Sequence, residues 1–127
     1  MDVKVPYESD EQIAFVKWFR ATFPDVLIFS IPNGGSRQKR EALKLKAEGV
    51  VSGVPDLAIP EWRLFIEMKR QKGGTVSPEQ KAIMAELVRV GYVCQVCNGY
   101  AAAKDFVLSF VDAKSRGRIV TGKHRIS

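Results

Sequence analysis

The stretch Gly53–Arg70, "GVPDLAIPEWRLFIEMKR", contains two short apolar, strand-forming runs that are separated by a break at "PEW". Asp56 begins the first run, and Glu67 and Lys69 lie inside the second. A charged side chain in a buried strand is costly unless it is paired, hydrogen-bonded or bound to a metal ion. These three charged residues therefore need compensating partners.

The two runs predict a β-hairpin with strands at Asp56–Ile59 and Arg63–Arg70. If the loop has an even number of residues centred on the break, Asp56 lies directly opposite Glu67. Residues in such a pair have β-carbons about 4.5–5.5 Å apart. A shift of the register by one residue would destroy this arrangement.

Side chains alternate along a strand, so Phe65, Glu67 and Lys69 share one face of the predicted hairpin. The opposite face is apolar and is expected to face the core; it carries Leu64, Ile66 and Met68. The charged residues are thus collected on one side of the hairpin.

Two carboxylates at this distance repel each other unless a proton or a cation lies between them. A divalent cation is a natural occupant, because Mg²⁺ usually takes one or two protein carboxylates and keeps several waters. Lys69 would lie beside such a metal, where it could orient or help deprotonate an attacking water and stabilise charge on a phosphoryl group. The pattern fits metal-assisted phosphodiester hydrolysis. It fits equally a turn-capping Asp56 and a surface pair of Glu67 with Lys69.

The composition predicts a single folded domain over residues 1–127, with a basic tail from about residue 114. Of the 127 residues 46% are hydrophobic, and the net charge is +6. A basic surplus that is clustered in "SRQKREALKLK" and in the tail favours a polyanionic partner, nucleic acid first. The chain has no apolar run of membrane-spanning length. Its acidic N-terminus has no signal-peptide pattern, so we expect a cytoplasmic protein without a membrane partner.

Two cysteines, Cys94 and Cys97, form a C-x-x-C within "YVCQVC". This stretch reads as a strand, in which residues three apart point to opposite faces, so buried small hydrophobes are the favoured interpretation. A small redox or metal-carrier protein is the weaker alternative. The single histidine, His124, argues against mechanisms that need a histidine base or several histidine ligands.

The remaining elements alternate between helices and strands. A first helix is predicted at about Ser9–Thr22, with a capping box from Ser9 to Gln12. Its predicted buried stripe consists of Ile13, Val16, Phe19 and Phe23. "VLIFSI" then predicts a strand that ends at the turn "PNGG".

A basic helix is predicted over about Gln38–Glu48, ending at Gly49. After the hairpin, "SPEQKAIMAELVRVG" predicts a helix with Ser77 as N-cap, Pro78 at N1 and Gln80 at N3. Its predicted core residues are Ile83, Met84, Leu87 and Val88. A strand at "YVCQVC", a turn at Asn98-Gly99 and a helix from Tyr100 to about Ala113 complete the order α-β-α-β-β-α-β-α. This order predicts an α/β fold with a mixed central sheet flanked by helices.

Pro55-Asp56, Glu67 and Lys69 resemble the PD-(D/E)XK signature of the restriction-endonuclease-like superfamily. The stretches "QIAFVKWFR", "IPNGGSR", "KAEGVVSGVPDL", "LFIEMKR", "SPEQ" and "GYVCQV" occur in the order and spacing of the virus-type replication-repair nuclease family, VRR-NUC. The likeness extends from about Glu8 to Gly99.

The resemblance implies a restriction-endonuclease-like core and a divalent metal, Mg²⁺ or Mn²⁺, held by the hairpin. By this likeness Asp56 and Glu67 are metal ligands, the backbone carbonyl of Met68 is a third, and Lys69 is the catalytic lysine. Two further site residues are implied. Glu8, four residues before a Gln, is the acid of the first helix and a further metal ligand, with Glu11 as the fallback. Gln80 resembles a polar residue placed next to the metal, and its position in a capping box explains it equally well.

The resemblance also implies DNA as the substrate. The expected contacts to the DNA backbone are Arg37, Lys39, Arg40, Lys44 and Lys46, which would position the DNA without reading its sequence. Free-standing members of the family resemble phage and bacterial junction-cutting enzymes that act as dimers. We therefore expect a homodimer and a branched or Holliday-junction-like substrate in DNA repair, recombination or phage DNA processing. A non-catalytic nucleic-acid-binding module with the same fold is the alternative.

Overall fold

A computed structural model describes residues 4–32 and 39–117. The elements follow in the order α1 (Glu8–Thr22), β1 (Phe29–Ser30), α2 (Lys39–Ala47), β2 (Leu57–Ile59), a 3₁₀ turn (Pro60–Trp62), β3 (Leu64–Lys69), α3 (Pro78–Arg89), β4 (Val93–Asn98) and α4 (Tyr100–Ser115). The predicted order of helices and strands is confirmed.

The four strands form one mixed sheet in the order β1-β2-β3-β4. The β1–β2 and β2–β3 pairs are antiparallel, whereas β3 and β4 run parallel, because α3 carries the chain back to the starting end of the sheet. In the hairpin Leu57 pairs with Ile66 and Ile59 pairs with Leu64. One step further along the same register places Asp56 opposite Glu67, as the sequence predicts.

The core lies between the apolar face of the hairpin and the helices α1 and α4. Phe15 and Phe19 of α1 are completely buried, and the ring of Phe19 contacts Trp62 with centroids 5.3 Å apart. Ile66 and Met68 of β3 are also completely buried. Burial of each such side chain contributes about 1.5–3 kcal/mol. The apolar face of the hairpin is therefore held firmly against the helices.

Helix α3 begins as its sequence predicts. The hydroxyl of Ser77 accepts a hydrogen bond from the backbone N–H of Gln80, and the side chain of Gln80 accepts one from the backbone N–H of Ser77. At the other end, Gly91 has φ +106°, in the left-handed region that favours glycine after a helix. The predicted burial of α3 is only partly right. Ile83, Met84 and Leu87 are half-buried, and Val88 is 55% exposed.

The predicted capping box of α1 is wrong. The helix starts one residue earlier, at Glu8, and no side chain caps it. Ser9 is exposed inside the first turn and is not the N-cap. The cause lies outside the helix: the guanidinium of Arg70 donates to the backbone carbonyls of Val5 and Pro6 and fixes the segment that enters α1.

The buried stripe of α1 is rotated slightly from the prediction: Phe19 is buried as predicted, and Val16 and Phe23 pack partly buried against the core. Ile13 is 65% exposed, whereas Glu11, Phe15 and Phe19 are buried at spacings of four residues. A charged residue at position 11 hides this stripe from a search for apolar periodicity.

The first strand is much shorter than "VLIFSI" predicts, because its partner β2 offers only three residues for pairing. Of the predicted strand, Ile28 is buried, and Leu27 is 61% exposed. The predicted turn "PNGG" lies largely outside the described residues. In the part of the chain that the structure describes, no helix is long and apolar enough to cross a membrane.

The two serines predicted as N-caps provide a matched test of the fold. Ser77→Ala removes a real cap, so we expect the free energy of unfolding to fall by about 1 kcal/mol. Ser9→Ala should change it by less than about 0.5 kcal/mol, because this exposed hydroxyl caps nothing. Urea unfolding of both variants would check this. An equal loss in the two variants would contradict the assignment of the caps.

Candidate active site

The hairpin register brings the two acids of the quoted stretch together. Asp56 immediately precedes β2, and its Oδ2 accepts a hydrogen bond of 2.8 Å from the backbone N–H of Met68 across the hairpin. The backbone carbonyl of Asp56 accepts a second bond, from the N–H of Ile31 after β1. Asp56 is thus fixed from both sides at the end of the sheet.

The carboxylate of Glu67 is only 2% exposed and has contacts of unequal quality. Its Oε2 accepts a hydrogen bond of 2.7 Å from Nε2 of Gln80 and lies 3.3 Å from the ammonium of Lys69. Its Oε1 is buried and has no hydrogen-bond partner among the described residues. A buried acceptor without a partner is costly, so a ligand that supplies positive charge to this oxygen would lower that cost.

The pKa values of Asp56 and Glu67 also indicate that their negative charges are incompletely compensated. Burial, followed by the charge of Asp56, raises the pKa of Glu67 from its ordinary value of 4.5 to about 7, although Lys69 acts in the opposite direction. Burial also raises the pKa of Asp56, against the lowering effect of the Met68 N–H and of Lys69. One lysine therefore does not compensate two buried carboxylates.

Glu8 lies at the edge of the same group. It is half-buried at the start of α1, and its pKa is raised first by burial and then by the charge of Asp56, while Lys69 lowers it. The hydrogen bonds of Arg70 to the segment that precedes α1 hold this end of the helix in place. The structure thus brings Glu8 into the electrostatic field of the hairpin acids.

Glu11, the fallback for Glu8, has a different and structural task. Its Oε1 accepts a 2.8 Å hydrogen bond from the backbone N–H of Tyr100, and its Oε2 accepts one from Gln71. Gly99 occupies the N-cap position of α4 and has no side chain to cap the helix, so Glu11 does this from α1. The sequence signal for this role is the glycine at the N-cap of α4. It cannot cap the helix with a side chain, so the first N–H groups need an acceptor from elsewhere.

Gln80 serves the helix and the site at once. Its Oε1 closes the capping box with Ser77, and its Nε2 donates to Glu67. The capping box is confirmed, whereas a position of Gln80 next to a metal stays a prediction. The side chain of Met68 is completely buried in the core, so this residue could reach the site only through its backbone.

The predicted DNA contacts lie on or before α2. Lys44 and Lys46 are exposed on this helix. Lys39 and Arg40 form its first turn, and their side chains lie outside the described part of the structure, as does Arg37 entirely. The tail with His124 is likewise outside it.

The donor set fits a hard dication better than a soft metal. Asp56 and Glu67 offer carboxylate oxygens, which Mg²⁺ and Mn²⁺ prefer. Across residues 4–32 and 39–117, no three His, Cys, Asp or Glu side chains form a group that could hold a metal ion. The expected set is accordingly two carboxylates with a backbone carbonyl and waters, and Glu8 stands further out.

The two cysteines do not form a competing site. Cys97 is buried and Cys94 half-buried on β4, and both are free thiols. Burial raises the pKa of Cys94 to about 11 and that of Cys97 to about 12, so neither thiol ionises readily at neutral pH. This environment is that of structural cysteines, as the strand pattern predicts.

Comparison with known proteins agrees with the fold. The family model of the VRR-NUC domain matches residues 6–101. The chain belongs to the VRR-NUC family. A solved structure described as a VRR_NUC domain protein is similar to it with a TM-score of 0.73 at 25% sequence identity. The match covers 87% of this chain and 92% of the other, and no curated protein matches the chain. The fold of this VRR-NUC chain is therefore that of a nuclease family.

The raised pKa of Glu67 predicts a pH dependence of stability in the metal-free protein. Between pH about 4.5 and about 7 the folded state keeps a proton that the unfolded state has released, so the free energy of unfolding should fall as the pH rises. The raised pKa values of Asp56 and Glu8 act in the same direction. Glu67→Gln should flatten this part of the profile. Urea unfolding at several pH values would measure it, and an unchanged slope in the variant would refute the assignment.

Glu8 and Glu11 provide a second matched pair. Glu11→Ala leaves the N–H of Tyr100 without its buried acceptor, so we expect a loss of about 1–3 kcal/mol in the free energy of unfolding. Glu8→Ala removes an acid that its surroundings disfavour, so stability without metal should not fall. Thermal unfolding without metal measures the difference. Equal destabilisation by both changes would show that the two roles are wrongly divided.

Proposed function

We propose that this VRR-NUC protein is a Mg²⁺- or Mn²⁺-dependent DNA endonuclease that hydrolyses phosphodiester bonds. The observation that carries the proposal is the pair of half-buried Asp56 and buried Glu67, with an unpartnered Oε1 on Glu67 and a lysine 3.3 Å from its other oxygen. Incompletely compensated buried charge lowers the stability of the fold, and proteins retain such destabilising groups mainly at functional sites.

In this proposal Asp56, Glu67 and the backbone carbonyl of Met68 hold the metal. When bound, a dication supplies Lewis-acid polarisation of the phosphate and a bound water of lowered pKa. The hydrogen bond from the Met68 N–H fixes Asp56, and the hydrogen bond from Gln80 fixes Glu67, so both carboxylates are oriented before the metal arrives. Gln80 is therefore a positioning residue, and Glu8 would orient a metal-bound water from the rim.

Lys69 acts on the substrate side. Its side chain is only 10% exposed and its ammonium is already paired with Glu67, so its position is set by the protein. From there it would orient the attacking water and stabilise the negative charge that develops on the phosphoryl oxygens. Positioning of this kind depends on a fixed group, and the buried ion pair provides that rigidity.

DNA would be held by positive charge outside the hairpin. The net charge of +6 and the exposed Lys44 and Lys46 on α2 support contacts to phosphates, which Arg37, Lys39 and Arg40 would extend. Such contacts bind any DNA with strong salt dependence.

A branched or Holliday-junction substrate is the finer part of the proposal. A two-fold homodimer would present two metal sites to two strands, as a four-way junction requires. Its support is the resemblance that the sequence motifs imply to phage and bacterial junction-cutting enzymes, and it implies a role in DNA repair or recombination.

The decisive variants are Lys69→Ala and Asp56→Asn. Lys69→Ala should lower the cleavage rate at least about a hundredfold while DNA binding persists, because the lost ammonium would stabilise the charge that develops on the phosphoryl oxygens. Asp56→Asn should weaken Mn²⁺ binding. Lys104→Ala is the matched control, since it removes one lysine from α4, away from the hairpin.

Cleavage of linear, flapped and four-way DNA with Mg²⁺, with Mn²⁺ and with EDTA would test the activity, and calorimetry would test the metal. Full cleavage by Lys69→Ala would overturn its role. DNA binding without metal-dependent cleavage of any substrate would favour the non-catalytic binding module, which the basic clusters also support.

A further inference from the structure

A cavity opens on the same face of the sheet as Asp56 and Glu67. It has a volume of about 300 Å³ and is lined from neighbouring strands by Phe29, Ala58, Phe65 and Tyr92, with Arg63 at its side. Phe65 and Glu67 are alternate residues of β3, so they point to the same face about 7 Å apart. The cavity therefore lies on the same face as the proposed catalytic group, two residues along β3 towards the tip of the hairpin.

The walls of this cavity are aromatic and only partly covered. The rings of Phe65 and Tyr92 meet edge to face with centroids 5.2 Å apart. Phe29, on the edge strand β1, is 42% exposed. Proteins that bind single-stranded nucleic acid use accessible aromatic side chains beside a backbone-binding groove to stack bases.

Arg63 adds an unsatisfied polar group to the aromatic wall. Its guanidinium carbon lies 4.2 Å from the centre of the Tyr92 ring, while its Nε is buried without a hydrogen-bond partner among the described residues. A guanidinium stacked in this way offers a flat surface and hydrogen-bond donors together.

The backbone of Arg63 also has an unusual conformation. It has φ 49° and ψ 46° at the end of the hairpin turn, in the left-handed region where glycine would be cheapest. Strained backbone positions of this kind cluster at functional sites. The hairpin thus keeps a side chain with a guanidinium at a position where the turn alone would favour glycine.

We propose that this cavity binds an unpaired nucleobase of the DNA strand that is cut. The base would stack on the aromatic wall and accept a hydrogen bond from Nε of Arg63, which lacks a partner among the described residues. Its neighbouring phosphate would lie towards Asp56 and Glu67, where the proposed metal would hold it during cleavage. A base is a better occupant than an apolar side chain of a partner, because the N–H groups of Arg63 need acceptors, which base edges carry. That the bound polymer is DNA rests on the proposed function. Binding of one base in this cavity would explain how the enzyme selects an unpaired nucleotide beside a branch point.

The test uses the full chain in EDTA, so that nothing is cut. Single 2-aminopurines are placed at successive unpaired positions of a flapped DNA, and their fluorescence is recorded on binding. We expect a strong change at one or two adjacent positions. Tyr92→Leu and Arg63→Gln should remove this change and weaken binding of unpaired DNA roughly tenfold. Leu108→Ala and Arg116→Gln, which alter an exposed apolar side chain and an exposed arginine on and after α4, should preserve it.

Two further results would decide against the pocket. A fluorescence change that is the same at every position, or that survives Tyr92→Leu, would overturn it even if the protein cuts DNA. A change of oligomeric state by Tyr92→Leu in sedimentation, without loss of the fluorescence signal, would assign the cavity to a second copy of the chain.

Should Tyr92→Leu fail to fold, Phe29→Ala removes a ring that is 42% exposed and gives the same test. Because no cleavage is needed, loss of the signal and loss of the nuclease activity are distinguishable.

Discussion

The hydrogen bond from the backbone N–H of Met68 to Oδ2 of Asp56 fixes the arrangement on which the site depends. It extends the antiparallel register of the hairpin by one step beyond the last strand pair, Leu57 with Ile66. The same register buries Ile66 and Met68 against α1 and α4. A slip by one residue would move the acids into the core and the apolar side chains into the site. The stability of the fold and the geometry of the acids are therefore set by one choice of pairing.

The charges within the buried strand have partners, but the compensation is incomplete. Glu67 receives a hydrogen bond from Gln80 and a salt bridge from Lys69 on one oxygen, while its second oxygen has no partner among the described residues. A buried ion pair adds little net stability, because desolvation opposes the Coulomb attraction. The pKa of Glu67 near 7 expresses this balance in the metal-free state. A bound dication would neutralise the remaining negative charge of Asp56 and Glu67. The residues proposed to act in catalysis would therefore also affect the stability of the fold.

Helix α1 shows how one element can divide structural and functional work between acids three residues apart. Glu11 faces inward and caps α4, whereas Glu8 lies within reach of the field of Asp56. Arg70, directly after Lys69, holds the segment in front of α1 through two backbone carbonyls. The strand with the proposed catalytic lysine thereby also positions the helix that brings Glu8 to the site.

The local sequence determined the order of elements, the hairpin register, the capping box of α3 and the separation of charged and apolar faces on β3. These features depend on neighbours along the chain, on alternation and on turn chemistry, so they are written in short stretches such as "PDLAIPEWRLFIEMK". Only the tertiary structure showed that Glu11 caps α4 and that Glu8 lies near Asp56, because Tyr100 and Asp56 are remote from both acids in sequence. The rotation of α1 and the short β1 were likewise set by packing and by the length of β2. The cavity beside Phe65 and Tyr92 joins side chains from separate strands, so no local pattern could have revealed it.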